Sequence, residues 1–201
     1  MNFSNSTTDK TERLKDQNTL TSQWESIDWK QINKDVNRLQ TRIAKATVNG
    51  NKNKVKRLQY LLTHSYCAKA YAVKKVTTNK GKNTSGVDKK LWSTPASKMK
   101  AVLTLSHTHY RTKPLKRVYI EKKGKNKKRP LGIPTMYDRT MQTLYALALE
   151  PIAETTGDYI SFGFRKGRSA KDACEQIFCL LARKCSPTWI LEGDIKVITS
   201  L

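Results

Sequence analysis

Long apolar runs are missing from this 201-residue sequence. No stretch approaches the ~20 consecutive apolar residues that span a bilayer. The amino-terminal MNFSNSTTDKTERLKDQNTLTSQ also lacks the apolar core of a secretory signal. Neither an integral membrane protein nor a Sec-secreted one is expected. Histidine is scarce, and His64, His107 and His109 are too scattered to complete a metal site. The four cysteines, Cys67, Cys174, Cys179 and Cys185, follow no zinc-ligand spacing, so free thiols in a reducing cytosol are expected. Acidic residues are the third shortage, 16 Asp+Glu against 39 Lys+Arg, a formal net charge of +23. Such an excess repels itself in a compact chain unless a polyanion neutralises it. Solubility needs a net charge of only about 2–8, so nucleic acid is the favoured partner. Membrane-surface attraction is a weaker reading, because no basic helix with a strongly apolar face stands out. Four Trp, eight Tyr and four Phe argue against wholesale disorder.

The charge is unevenly placed. Residues 1–130 hold 31 basic and 8 acidic side chains, while residues 131–201 hold 8 of each, so the whole excess lies in the first two thirds. Lys30 to Lys82 carries fourteen cations against Asp35 alone, and Arg111 to Arg129 carries ten against Glu121 alone. Two basic surfaces joined to a neutral, more apolar part suggest a nucleic-acid grip attached to a differently used core.

Along the chain, residues 1–23 read as a frayed, disordered polar tail, followed by a basic helical region over 24–110 and a mixed segment over 111–201. From Trp29, the apolar positions Ile32, Val36, Leu39, Ile43 and Ala46 recur at helical spacing with a basic outer face, and Asn49-Gly50-Asn51 ends that helix. A second helix is expected from about Lys52 to Val76, a loop over Gly81–Gly86, and short helices near Lys89–Trp92 and Ser97–Leu105. Val118 and Ile120 share one face of a strand, the chain turns at Lys123–Asn126, and Lys128–Ile133 returns as its partner. Met141, Leu144, Tyr145, Ala148 and Ile152 mark another helix, ending near Gly157. Ser169 with Asp172 caps a last helix whose Ala173, Ile177, Leu180 and Leu181 are expected to be buried. Thr188–Ile195 reads as a short apolar strand ending on Asp194.

Three segments carry chemistry. In KKGKNKKRPLGIP, Lys122 to Pro134, cations on a stiff hairpin can close over phosphates at low ordering entropy, or simply grip a nucleic-acid backbone. In SFGFRKGRSAKDA, Ser161 to Ala173, Gly163 and Gly167 bracket Arg165. Two glycines, two arginines and a helix start offer anion recognition, or else form a plain glycine loop. In WILEGDIK, Asp194 at a strand end suits a hard cation such as Mg²⁺, although most strand-end aspartates are only solvated.

Read together, RVYIEKKGKNKKRPLGIPTMYDRTMQTLYALALEPIAE, SFGFRKGRSAKDA and WILEGDIK resemble successive blocks of the group II intron reverse transcriptase–maturases. The upstream LQTRIAKATVNGNKNKVKRLQYLLTHSYCAKAYAVKKVTTNKGKNTSGVDKKLW resembles the extension that precedes them. The resemblance covers about Trp24 to Lys196, with several blocks in order. It implies an α+β fold: a helical N-terminal region followed by the fingers hairpin and incomplete palm of a right-hand polymerase. It implies an RNA-directed DNA polymerase that also helps its intron RNA splice and move. Lys122 and Arg129 then match contacts to the dNTP triphosphate, with Glu121 departing from the proline common there. Arg165 and Arg168 match a segment lining template and nucleotide. Asp194 matches the first catalytic, metal-binding aspartate and the Ile195 carbonyl its neighbour ligand, for Mg²⁺. The basic helical region, with Lys52, Lys54, Lys56, Arg57, Lys74 and Lys75, matches the surface that holds intron RNA and template-primer.

After Asp194 the sequence departs from the family. VITSL stands where members continue with Phe-Asp and, later, Tyr-x-Asp-Asp. One aspartate cannot hold two metals, so a truncated chain inactive alone is expected, with a complementing C-terminal fragment as a candidate partner. Two alternatives stand beside it: a stand-alone RNA-binding module that assists splicing, and a degenerate product without a role. The expected location is the cytoplasm of a bacterium or an organelle of bacterial origin.

Overall fold

The computed structural model describes residues 5–122 and 125–193. The fold is α+β, with seven helices and one two-stranded antiparallel sheet among the described residues. Two compact units divide the chain by contact, Met1–Thr155 and Thr156–Leu201, and the division falls at the end of a helix.

The first unit begins with α1 (Asn5–Glu25), a helix where a frayed tail is expected. Its end delivers Trp24 to an apolar cluster that includes Ala101 and Val102 of α5 (Pro95–Thr104). The stripe read from the sequence forms α2 (Trp29–Val48). Asp28 caps it by accepting from the amides of Lys30 and Gln31, and Ile32, Val36, Ile43 and Ala46 are buried. Each large apolar side chain so buried stabilises by about 1.5–3 kcal/mol. Gly50, at φ 66°, takes the left-handed turn that ends it.

The single helix expected over 52–76 is two: α3 (Lys52–His64) and α4 (Tyr66–Thr78). Ser65 makes the break. Its extended backbone leaves the helical region, its hydroxyl donates to the Leu62 carbonyl (2.8 Å), and the same oxygen accepts from the Ala68 amide (3.2 Å). Apolar periodicity runs through such a corner unbroken, which is why the stripe misleads there. No helix forms at 89–92, where a turn leads into chain without regular secondary structure. Thr94 caps α5, which starts at Pro95.

The hairpin pairs β1 (Lys116–Lys122) with β2 (Lys125–Ile133): Lys125 and Asn126 of the expected turn lie in β2, Lys123 and Gly124 lie outside the described residues, and Val118 faces Leu131 while Ile120 faces Arg129. Pro130 sits opposite Tyr119 and is tolerated because both strands are edges.

The next helix, α6 (Met136–Thr156), buries Met141, Leu144, Leu147 and Ala148 against α2, α3 and α4. Pro151 lies inside it and has no N–H for the Leu147 carbonyl. Gln40 of α2 supplies the missing donor at 2.8 Å, and Gln59 of α3 donates to the next carbonyl, Ala148, at 3.1 Å.

In the second unit, α7 (Ala170–Leu181) has the expected capping box between Ser169 and Asp172. Its apolar stripe, however, is not buried within this unit: Ile177, Leu180 and Leu181 are exposed. Residues 188–193 form no strand, and Trp189, Ile190 and Leu191 are exposed. A strand needs a neighbour to satisfy its amides, and none is present among the described residues.

Candidate nucleic-acid interface

Cations line the outer side of the helical region. Lys52, Lys54, Lys56 and Arg57 are exposed on α3, and none has a carboxylate within ion-pair distance among the described residues. Lys75 of α4 is exposed as well. Lys74 turns inward, with its ammonium 4.0 Å from the centre of the Trp29 ring. The structure therefore brings five of the six expected RNA-contacting cations to solvent and spends the sixth on an indole.

The N-terminal end of α6 organises the rest of the first unit. Arg139 donates from Nε to the Pro134 carbonyl (3.1 Å), from Nη1 to Gly81 (3.0 Å) and from Nη2 to Thr84 (2.7 Å). One guanidinium thus ties the end of β2 to the glycine loop that carries Lys80 and Lys82. Gly86 allows the loop to seat: a Cβ there would lie 2.6 Å from the Thr135 Cα.

Beside it, Tyr110 donates to Asp138 Oδ1 and Thr135 to Oδ2, each at 2.5 Å. Burial pushes the Asp138 carboxyl up, but hydrogen bonds from Thr135, Tyr110 and the Thr135 and Lys113 amides outweigh it and hold the acid below its usual range. Burial first, then the hydrogen bond to Asp138, raises the Tyr110 phenol far above its ordinary value. A cleft of about 560 Å³ opens next to this network, and Lys90, Trp92, Lys100, Arg111 and Lys113 contribute to its walls. The carboxylates of Asp88 and Asp138 line it as well.

In the hairpin, Arg129 is exposed and its strand partner is Ile120, while Lys122 closes β1 opposite Lys125. In the second unit, Arg165 donates to the Asp158 and Ser161 carbonyls and Arg168 to that of Tyr159. Arg168 also lies 5.4 Å from the Phe162 ring centre. Both arginines thus brace the loop 158–168, in which Phe164 stands fully exposed at φ 60°. Ser169 donates from its hydroxyl and its amide to Asp172, at 2.8 and 2.7 Å, and these bonds lower the Asp172 carboxyl. Asp194 and Ile195 lie outside the described residues. Among the described residues, no cluster of three or more His, Cys, Asp or Glu could hold a metal, and no helix is long and apolar enough to cross a membrane.

Sequence reasoning assigns no role to Tyr110, Asp138 or Arg139. A buried-side Asp-Arg pair at the start of an apolar helix is the one local signal that marks them.

Comparison with known proteins yields matches in two consecutive stretches. Residues 24–105 match the N-terminal domain of reverse transcriptase, and residues 120–197 match the reverse transcriptase (RNA-dependent DNA polymerase) family. Protein YkfC of Escherichia coli K12 is 31% identical over 168 residues, covering 80% of this chain and 43% of that protein. The group II intron-encoded protein LtrA of Lactococcus lactis subsp. cremoris is 35% identical over 140 residues, covering 69% and 22% respectively. An uncharacterized 91 kDa protein in the cob intron of Schizosaccharomyces pombe is 36% identical over 97 residues, 48% of this chain and 12% of that one. The chain spans less than half the length of these relatives.

Proposed function

The chain belongs to the group II intron reverse transcriptase/maturase family, and we propose that it serves as the RNA-gripping and nucleotide-approaching part of an intron-encoded RNA-directed DNA polymerase. Its helical region holds intron RNA and template-primer through Lys52, Lys54, Lys56, Arg57 and Lys75. Lys122 and Arg129 of the hairpin meet the triphosphate of a dNTP, and Arg165 and Arg168 line the path of template and nucleotide. The site of action is the cytoplasm. The observation that carries the reading is the set of exposed cations on α3 with no carboxylate within ion-pair distance among the described residues.

Divalent metal supplies the polymerase reaction with Lewis-acid stabilisation of the transferring phosphoryl group, and we take it to be Mg²⁺. The Asp194 carboxylate and the Ile195 carbonyl, both hard oxygen donors, would hold it. In the intron-encoded polymerase of which this chain is proposed to be part, Asp194→Asn should abolish Mg²⁺-dependent primer extension, and synthesis at the parent rate would refute this assignment.

A second reading is favoured by the first unit itself: its cores close on themselves, and no buried polar side-chain atom lacks a partner among the described residues. Such a unit can bind RNA and assist splicing without polymerising. Both readings require binding to a group II intron RNA with a steep fall of log K against log salt. Changing Lys52, Lys54, Lys56 and Arg57 together to Gln should flatten that slope by about 3. An unchanged slope would move the footprint elsewhere.

A further inference from the structure

Lys52, Lys56, Tyr60 and His64 follow one another at four-residue spacing along α3 and so share one face, and all four are exposed. The Tyr60 and His64 rings are stacked, with centroids 3.9 Å apart and planes at 24°. His64 lies against His107 at 4.6 Å, and His107 meets Tyr145 of α6 edge-on at 5.3 Å. Four rings thus form a continuous ladder from α3 across the 105–110 segment to α6.

Hydrogen bonds pin its middle. His107 Nε2 donates to the Thr63 carbonyl and Nδ1 accepts from the Tyr145 hydroxyl, both at 2.9 Å, a pairing that the neutral Nε2–H tautomer satisfies. His64 Nδ1 lies 2.9 Å from the Tyr60 carbonyl and donates to it. The outermost ring, Tyr60, remains 66% exposed and is backed by His64 on one face. Burial does not explain why a large apolar ring is held rigid in water on a helix with no Asp or Glu and with Lys52, Lys56 and Arg57 beside it.

We propose that the outward face of Tyr60 stacks an unpaired RNA base whose flanking phosphates rest on Lys52, Lys56 and Arg57. Every base has a π-face, so stacking adds affinity without a sequence code, and a ring already fixed from below loses little entropy on binding. A duplex keeps its bases inside its own stack and cannot use the platform. The ladder therefore makes the helical region a reader of single-stranded RNA. The inference rests on the RNA-binding function proposed above.

The experiment measures affinity of the full chain for a short single-stranded RNA and for a blunt duplex of the same length, across a salt series, by fluorescence anisotropy. Tyr60→Ala should weaken single-strand binding about 5- to 150-fold, leave the salt slope unchanged and leave duplex binding unchanged. Tyr60→Phe, which keeps the ring, should bind as the parent does. Equal losses on both RNAs, or no loss on the single strand, would overturn the platform while salt-dependent binding keeps the broader function. The second of these outcomes would point to a protein as the occupant. Binding without salt dependence in the parent chain would sink both.

Discussion

Replacing Arg139 tests the joint on which both basic segments of the first unit depend. Its guanidinium makes three bonds to carbonyls of Pro134, Gly81 and Thr84, at 3.1, 3.0 and 2.7 Å. A hydrogen bond with a charged partner contributes about 1.5–3 kcal/mol net, which bounds three of them at roughly 4.5–9 kcal/mol. Arg139 is only half-buried, so water can satisfy much of what is lost. We therefore expect Arg139→Ala to destabilise by about 2–4 kcal/mol. Arg139→Lys, whose ammonium cannot fork across three acceptors, should lose most of that. Urea unfolding should show a lower midpoint at unchanged slope. The loop should also loosen locally, and trypsin should cut after Lys80 and Lys82 faster than in the parent. Substitution by Ala with less than about 0.5 kcal/mol of loss, a surface-like effect, and no gain in cleavage at those lysines would refute the idea that Arg139 fixes the loop.

Two further outcomes follow from the same end of α6. Asp138 is held below its ordinary range in the fold, so its contribution is present above the unfolded carboxylate value near 3.9 and is lost as pH falls through the lower folded one. Tyr110 is raised, so its contribution is complete below about 10 and is lost as pH rises beyond that. Urea midpoints of the parent should fall at both extremes, and Tyr110→Phe should shrink the alkaline limb and, by removing one hydrogen bond to Asp138, part of the acid limb as well; a parent midpoint flat from pH 9 to the alkaline limit would contradict the pairing. Gly86→Ala forces a Cβ to 2.6–2.9 Å from the Thr135 backbone and the Pro134 carbonyl and should cost about 1–3 kcal/mol in thermal unfolding, whereas a neutral result would mean that the loop does not seat there.

Elements whose cause is local or periodic are legible in the amino-acid sequence alone. The α2 stripe, the Ser169 cap and the Val118–Ile120 face each follow from spacing along one segment, and charge adds up wherever the chain goes. Spacing does not reveal whatever depends on a partner far away in sequence. The Ser65 corner is invisible to periodicity because the apolar stripe continues on both sides, although a Ser hydroxyl able to cap is there to be read. Thr188–Gly193 has strand composition but no neighbour among the described residues, so composition alone misleads. Arg139 to Gly81 and Thr84 spans 58 and 55 residues, and no pattern along the chain announces such a bond.

That long-range joint decides how the charge is used. Fourteen cations between Lys30 and Lys82 and ten between Arg111 and Arg129 could repel one another into separate, mobile surfaces. Instead α6 begins where β2 ends. Its Arg139 draws in the Gly81–Thr84 loop, and its Asp138 takes the hydroxyl of Tyr110, at the start of the hairpin's approach. Attachment to one helix end holds the loop and the hairpin base at a fixed separation despite their like charge. A polyanion that neutralises one then meets the other already placed, and the ordering cost of gathering the cations has been met by folding. Cation number sets the salt slope of such a grip, and the α6 joint sets its affinity at a given salt. Variants of the two classes should separate on those axes: Lys-to-Gln changes on α3 flatten the slope, while Arg139→Ala lowers affinity with the slope kept, because it removes the order of the surface and leaves the charge of the exposed cations in place.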